Sequence, residues 1–194
     1  MSALGIVAGA IAGCAALRYV YTILRGETRP HRTTWGVWTV IGGLGAGSAV
    51  DGGAGPGAYV ALVYLALHAV VFLLSLSRRF GKAGGEPYDT PLGLTAVAVT
   101  VLWQLADLPT PFAATVAVGA DGLALWPTLR ESWRQPRSES LSAWLADSVA
   151  ALLGVVAISE HRYASMAYPV YLAMGNSVVA GCLLVRWMQR RSGS

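Results

Sequence analysis

The positive charges of this chain alternate with its hydrophobic segments, and this alternation constrains the fold more than any other feature. Seven apolar runs cover approximately residues 3–24, 35–50, 58–76, 91–107, 111–129, 141–158 and 164–185. Of the 14 Lys and Arg residues, twelve follow the odd-numbered runs, in clusters at 25–32, 78–82, 130–137 and 186–191. Positively charged loops are poorly translocated and stay in the cytoplasm. The pattern therefore predicts seven membrane-spanning helices, with the N-terminus outside and the C-terminus inside.

The composition agrees with a lipid bilayer as the main partner. The chain is 55% hydrophobic and 12% charged, whereas an average soluble domain is about 25% charged. The net charge of +4 resides in loops rather than on one face, which argues against nucleic-acid binding. No Lys or Arg precedes Arg18, so we expect residues 3–24 to form a helix rather than a cleaved signal peptide. The abundance of Ala, Gly and Arg suits a bacterial plasma membrane.

An internal duplication is the second strong signal. A shift of 106 positions superposes Thr22 on Thr128, Pro30 on Pro136 and Trp38 on Trp144. Three crossings leave a chain on the opposite side of the membrane, so a repeat of the same orientation needs one extra helix. We therefore predict an all-α membrane protein with two parallel three-helix bundles, residues 1–82 and 110–194, joined by a linker helix within 83–109. Parallel repeats of this kind are a transporter architecture, with the solute site between the halves.

One local pattern adds to this architecture. Trp126-Pro127-Thr128-Leu129 is followed by Ser138-Glu139-Ser140, and Tyr21-Thr22-Ile23-Leu24 is a weaker copy in the first half. With the three-one-three layout, this resembles the PQ-loop superfamily, which includes the SWEET sugar transporters and cystinosin-like exporters. The resemblance implies roles in gating for Pro127, Thr128, Tyr21 and Thr22. Thr128 stands at the motif glutamine and Tyr21 at the first-half proline.

Five polar residues within the apolar runs have comparable predicted depths: Arg18, His68, Asp121, Asp147 and Asn176. A polar side chain at membrane depth is costly, so each is expected to have a bonding partner or a function. Asp121 is interpreted either as a solute or proton site or as the ion-pair partner of Arg18. For Asp147, the alternatives are proton coupling, as the resemblance implies for a nearby position, and solvation at the interface. His68 is interpreted more readily as a packing residue than as a pH-responsive group. Asn176, which resembles the family's pocket asparagine, is either a solute ligand or a helix–helix hydrogen-bonding residue.

Aromatic residues supply the remaining candidates. Trp38 and Trp144 are repeat-equivalent, and they are interpreted either as walls of a solute pocket or as members of an interfacial aromatic belt. Trp35-x-x-Trp38 is a weak motif for a third option, a vitamin-precursor uptake protein like the nicotinamide-riboside family. We find no catalytic motif and no metal-ligand spacing of Cys and His, so the sequence predicts neither an enzyme nor a cofactor.

The sequence thus predicts a transporter of a small polar solute that works by alternating access, with proton coupling left open. Its expected site residues are Asn176, Asp121, Asp147, His68, Arg18, Trp38 and Trp144. The alternative is a non-transporting receptor or assembly factor on the same scaffold. A homo-oligomer is compatible with either function.

Overall fold

The computed structural model describes residues 3–51, 56–82, 87–106, 110–157 and 163–192, and within these ranges the chain is all-α. It has seven α-helices and no strand there, with one short 3-10 helix at Pro136–Ser138. The helices, in chain order, are α1 (Ala3–Leu24), α2 (Arg32–Asp51), α3 (Pro56–Leu76), α4 (Asp89–Leu105), α5 (Thr110–Arg134), α6 (Leu141–Val156) and α7 (Tyr163–Ser192). Each predicted apolar run is therefore confirmed as a helix.

The helices end where the local sequence stops helical hydrogen bonding. After α1, Gly26 takes a positive φ of 74°, and its N–H donates to the carbonyl of Ile23. Glycine favours this position because a left-handed conformation carries no Cβ penalty there. Prolines lie inside two helices, Pro127 in α5 and Pro169 in α7, where each ring removes one backbone donor.

Neighbouring helices form a ring around a central space. α1 packs chiefly against α6, α2 against α3, and α7 lies between α5 and α6. α4 contacts α5 and α2, and α2 also contacts α5. At the α2–α4 contact, Gly93 faces Thr33 so closely that a Cβ would overlap with the threonine methyl. The absence of a side chain at Gly93 therefore permits α4 to lie against α2.

Large apolar side chains point outward from this bundle. Leu17, Leu73, Leu94, Leu102 and Met174 are each more than 60% exposed. Two described stretches, Ala3–Leu24 and Met166–Ser192, have both the length and the apolar composition needed to cross a membrane. The buried interior, by contrast, is rich in alanine and threonine.

Candidate functional site

A cavity of about 710 Å³ lies inside the ring of helices. Its volume falls within the range of about 300–1,000 Å³ that is typical of small-molecule sites. All seven helices contribute to its lining, and α3 does so through His68. The polar and aromatic lining residues are Trp35, Trp38, His68, Trp103, Asp121, Trp144, Asp147, Tyr168, Tyr171 and Asn176.

Asp121 lies on α5 and is held by two tyrosines of α7. The Tyr168 hydroxyl donates to Oδ1 at 3.1 Å, and the Tyr171 hydroxyl donates to Oδ2 at 2.7 Å. The tyrosines are three positions apart, so they lie on one face of the helix and approach the same carboxylate. Asp121 is only 3% exposed, and both donors are neutral. The carboxylate is therefore positioned without a basic partner in this contact.

Asp147 lies on α6 and pairs with the amide of Asn176 on α7. Asn176 Nδ2 donates to Asp147 Oδ2 at 2.9 Å. Both side chains are half-buried and line the cavity. The second carboxylate is thus also held by a neutral donor.

Aromatic rings cover the inner wall of the cavity from α2 and α6. The ring centroids of Trp35 and Trp38 are 5.1 Å apart in an edge arrangement, and those of Trp38 and Trp144 are 6.4 Å apart. His68 adds a fourth ring, 5.9 Å from Trp38. Aromatic pairs at these separations stabilise each other. The rings therefore form a preformed wall.

The cavity extends toward one end of the bundle and stops short of the other. Its lining reaches Ala8, Trp103, Ala114 and Gly154, all near helix ends on one side. The other side, which we term the basic end, consists of the connections 25–31, 77–82 and 135–140 together with the last turns of α7. A buried cluster closes the cavity toward the basic end; its members include Tyr19, Ile23, Trp35, Leu125, Trp144, Val179 and Leu183.

Glu139 lies beyond this cluster, in the connection before α6. Its Oε2 accepts hydrogen bonds from the Tyr19 hydroxyl at 2.7 Å and from the Trp144 indole at 2.9 Å. Burial raises the pKa of Glu139 from 4.5 to about 7, while the hydrogen bonds from Trp144 and Tyr19 oppose the rise. Desolvation exceeds them because it penalises the charged form of a buried carboxyl. Glu139 therefore ties α1 to α6 at the basic end.

A hydroxyl pair joins α2 to α5 at the same level. Thr128 Oγ1 donates to Thr34 Oγ1 at 3.0 Å, and neither residue is exposed. Nearby, the backbone N–H of Arg29 donates to the carbonyl of Ser138. These contacts connect helices and loops that are distant in sequence.

A buried ion cluster anchors the start of α4. Arg130 donates through both terminal nitrogens to Asp89, at 2.8 Å each. His31 Nε2 lies 3.1 Å from Asp89 Oδ2. Burial lowers the pKa of His31, while the charge of Asp89 opposes that shift. Lys82 and Glu131 form a further ion pair beside the cluster.

The structure brings together six of the seven predicted site residues. Those that line the cavity are Asp121, Asp147, His68, Asn176, Trp38 and Trp144. Arg18 does not: it is exposed, its Nε donates to Ser142 at 3.3 Å, and its guanidinium lies over the Tyr21 ring. The alternative in which Asp121 pairs with Arg18 is therefore wrong. Arg18 lies on the outward face of α1, while the tyrosines of α7 occupy the carboxylate.

The four motif residues have different surroundings. Tyr21 is 48% exposed and faces away from the helix contacts. Thr22 is buried and accepts a hydrogen bond from the Thr28 hydroxyl at 2.9 Å. Pro127 is fully buried beside Thr128. Thr22, Pro127 and Thr128 thus pack in the interior of the basic end, outside the cavity lining.

Several residues of this region were missed by the sequence analysis. Tyr168, Tyr171 and Trp103 line the cavity, and Glu139 and Asp89 are buried carboxylates. The spacing Tyr168-Pro169-Val170-Tyr171 is the one signal that could have indicated two hydroxyls on one helix face. Asp107, Glu160 and Arg162, which belong to the expected outer connections, lie outside the described residues, as does the side chain of Asp51.

The site therefore combines a closed basic end, an aromatic wall and two carboxylates. Among the described residues, no group of His, Cys, Asp and Glu has an arrangement that could hold a metal ion. No protein-family model, curated protein or solved structure matches this chain.

Proposed function

We propose that this chain is a multi-pass membrane transporter that moves a small polar solute by alternating access. The proposed moving parts are the units 1–82 and 110–194, which are joined by the helix within 83–109. The observation that carries the proposal is a cavity with largely apolar and aromatic walls and two carboxylates in its lining. It lies inside a bundle with an apolar exterior, and packed side chains close it at the basic end.

The distribution of apolar surface supports a membrane location. Large side chains such as Leu94 and Leu102 lie on the outside of the bundle. In the apolar spans of α1 and α7, only 22% of the residues are buried. A soluble helical protein would bury the apolar faces of its helices in its core. The basic clusters lie together at one end of the bundle, which supports the orientation with that end in the cytoplasm. We propose a bacterial plasma membrane as the location of the protein.

The contacts at the basic end support alternating access. Tyr19 and Glu139 belong to different proposed units, and so do Thr34 and Thr128 and the ion pair of Lys82 with Glu131. Opening the cavity toward the cytoplasm requires that these contacts separate. Each contact is a local hydrogen bond or ion pair that contributes about 1–3 kcal/mol. New contacts at the other end of the bundle can offset the loss of three contacts of this size.

Repeat-equivalent residues meet near the middle of the bundle, and this supports the two-unit division. Trp38 and Trp144 differ by the shift of 106 positions, line one cavity and lie with ring centroids 6.4 Å apart. Such a meeting is expected beside an axis that relates two repeats.

The proposal is tested by uptake in proteoliposomes that contain the purified full chain. We expect at least one solute of a defined mixture of amines, amino acids, sugars and nucleosides to accumulate by counterflow, measured by mass spectrometry. Asp121→Asn should reduce that flux, while Glu27→Gln, which changes an exposed carboxylate, should leave it unchanged. Absence of flux for every solute, with intact protein, would favour a receptor or assembly factor.

A further inference from the structure

The charge of the cavity indicates which class of solute it accepts. Two carboxylates, Asp121 and Asp147, line it, and no Lys or Arg does so among the described residues. Their hydrogen-bond donors are the hydroxyls of Tyr168 and Tyr171 and the amide of Asn176, all neutral. A buried charge is costly unless a counter-charge accompanies it. The described lining therefore provides two carboxylates and, apart from the imidazole of His68, no group that can carry a positive charge.

The aromatic wall adds a second, independent indication. Trp38 and Trp144 present rings to the same cavity as the carboxylates, and Trp103 adds a third ring from α4. The faces of tryptophan rings attract cations, and the attraction strengthens when water is excluded. An anionic solute would meet both carboxylates and the electron-rich rings beside them. The lining thus disfavours anions on two grounds.

We propose that the cavity binds a small organic cation, with Asp121 and Asp147 as its counter-ions and the tryptophan rings as its apolar walls. A quaternary ammonium or a heteroaromatic cation fits this chemistry, since its positive charge is spread over an apolar surface. The volume of about 710 Å³ accommodates such a molecule with its substituents. This inference rests on the proposed function to the extent that the cavity is taken as the solute site.

The test compares cations with uncharged molecules of the same shape. Choline is paired with its tert-butyl isostere, in which carbon replaces the ammonium nitrogen, and N-methylpyridinium is paired with toluene, in which carbon replaces the ring nitrogen. Binding to the full chain in detergent is followed by tryptophan fluorescence and by thermal stabilisation. We expect at least one cation to bind about tenfold or more tightly than its uncharged partner, a difference of about 1.4 kcal/mol.

Matched variants assign that preference to the carboxylates. Asp121→Asn and Asp147→Asn should each weaken cation binding about tenfold while leaving the uncharged isosteres unchanged. Glu27→Gln, whose carboxylate is exposed, should bind like the wild type. Asp147→Asn keeps the test informative if Asp121→Asn fails to fold, because Asp147 is half-buried.

The possible results separate this inference from the proposed function. Equal binding of cation and isostere, or binding that follows pH rather than probe charge, would overturn the cation assignment. Flux of neutral sugars without cation binding would also overturn it and leave the transport function standing. Cation binding that depends on both aspartates, without flux of any solute, would support the assignment and overturn transport.

Discussion

Glu139 is a buried carboxylate whose protonation we expect to control stability at the basic end. It is 6% exposed, and burial raises its pKa from 4.5 to about 7. The folded chain therefore binds the proton more tightly than the unfolded chain does. The resulting stabilisation is fully present below pH 4.5 and is lost as the pH rises to about 7. We predict that Glu139→Gln, which cannot ionise, flattens this part of the stability profile.

The measurement is the unfolding midpoint in detergent across that pH range, for wild type and Glu139→Gln. The difference between the two curves isolates Glu139 from other titrating groups. Glu27→Gln provides the control, because Glu27 is exposed and its removal should leave the slope unchanged. Identical slopes for wild type and Glu139→Gln would contradict the prediction.

The hydroxyl pair of Thr34 and Thr128 gives a second prediction for single residues. Thr128→Val removes the donor and leaves the Thr34 hydroxyl buried in an apolar contact. We expect it to lower the free energy of unfolding by about 1–3 kcal/mol, the usual cost of an unsatisfied buried polar group. The double variant Thr34→Val/Thr128→Val should cost less than the sum of the single variants, because no hydroxyl then remains unpaired. Denaturant titrations of the four proteins in detergent measure the coupling, and strict additivity would show that the pair contributes nothing.

Sequence reasoning located the cavity carboxylates but not their partners. Asp121 and Asp147 stand out because a charge in an apolar run is costly. The partner of Asp121 depends on how each helix is rotated about its own axis, which residue spacing does not reveal. Arg18 was therefore an option, although it lies on the outer face of α1. Tyr168 and Tyr171 carry no charge to mark them, so their role required the packed structure.

At the scale of elements, a buried ion cluster anchors the first turn of α4. Asp89 is 2% exposed, and its position near the helix N-terminus complements the helix dipole. Asp89→Asn leaves the Arg130 guanidinium without its counter-charge. We expect a loss of about 3–5 kcal/mol in the free energy of unfolding, the range for breaking one side of a buried ion pair.

Replacing both charged residues separates two contributions to stability: the net contribution of the ion pair, and the cost of leaving one buried charge without its partner. Asp89→Leu/Arg130→Met removes both charges and should be closer in stability to wild type than Asp89→Asn. Unfolding in detergent, followed by circular dichroism, compares the three proteins. A double variant that is less stable than Asp89→Asn would show that the hydrogen bonds of the cluster, including that to His31, outweigh the cost of its burial.

Elements were predicted more securely than contacts between them. The predicted runs 3–24 and 141–158 correspond to α1 (Ala3–Leu24) and α6 (Leu141–Val156), since apolar length determines where a helix can extend. The chief packing of α1 against α6, rather than against α3, was not predicted. Contacts of this kind depend on the matching of small residues across helix faces, and each helix carries several such faces.

At the scale of the whole molecule, the proposed alternating access requires that the two ends of the bundle open and close in opposite directions. The closed basic end is held by the Tyr19–Glu139 and Thr128–Thr34 hydrogen bonds. Weakening them with Tyr19→Phe/Thr128→Val should raise the population that is open at the basic end. Because each hydrogen bond contributes about 1 kcal/mol, removing two should change the ratio of the two states about tenfold or more.

Pairs of spin labels can detect this shift in proteoliposomes. Arg29 and Arg137 are exposed at the basic end, while Ile6 and Val156 are exposed at the opposite end, at 57% and 71%. With Cys14 and Cys182 replaced by serine, a cysteine pair at each end reports one distance. In the Tyr19→Phe/Thr128→Val protein we expect a longer distance at the basic end and a shorter one at the opposite end. Thr95→Val, which changes an exposed hydroxyl bonded within α4, should leave both distances unchanged. A change at only one end would indicate local loosening, because rocking of one unit against the other must move both ends together.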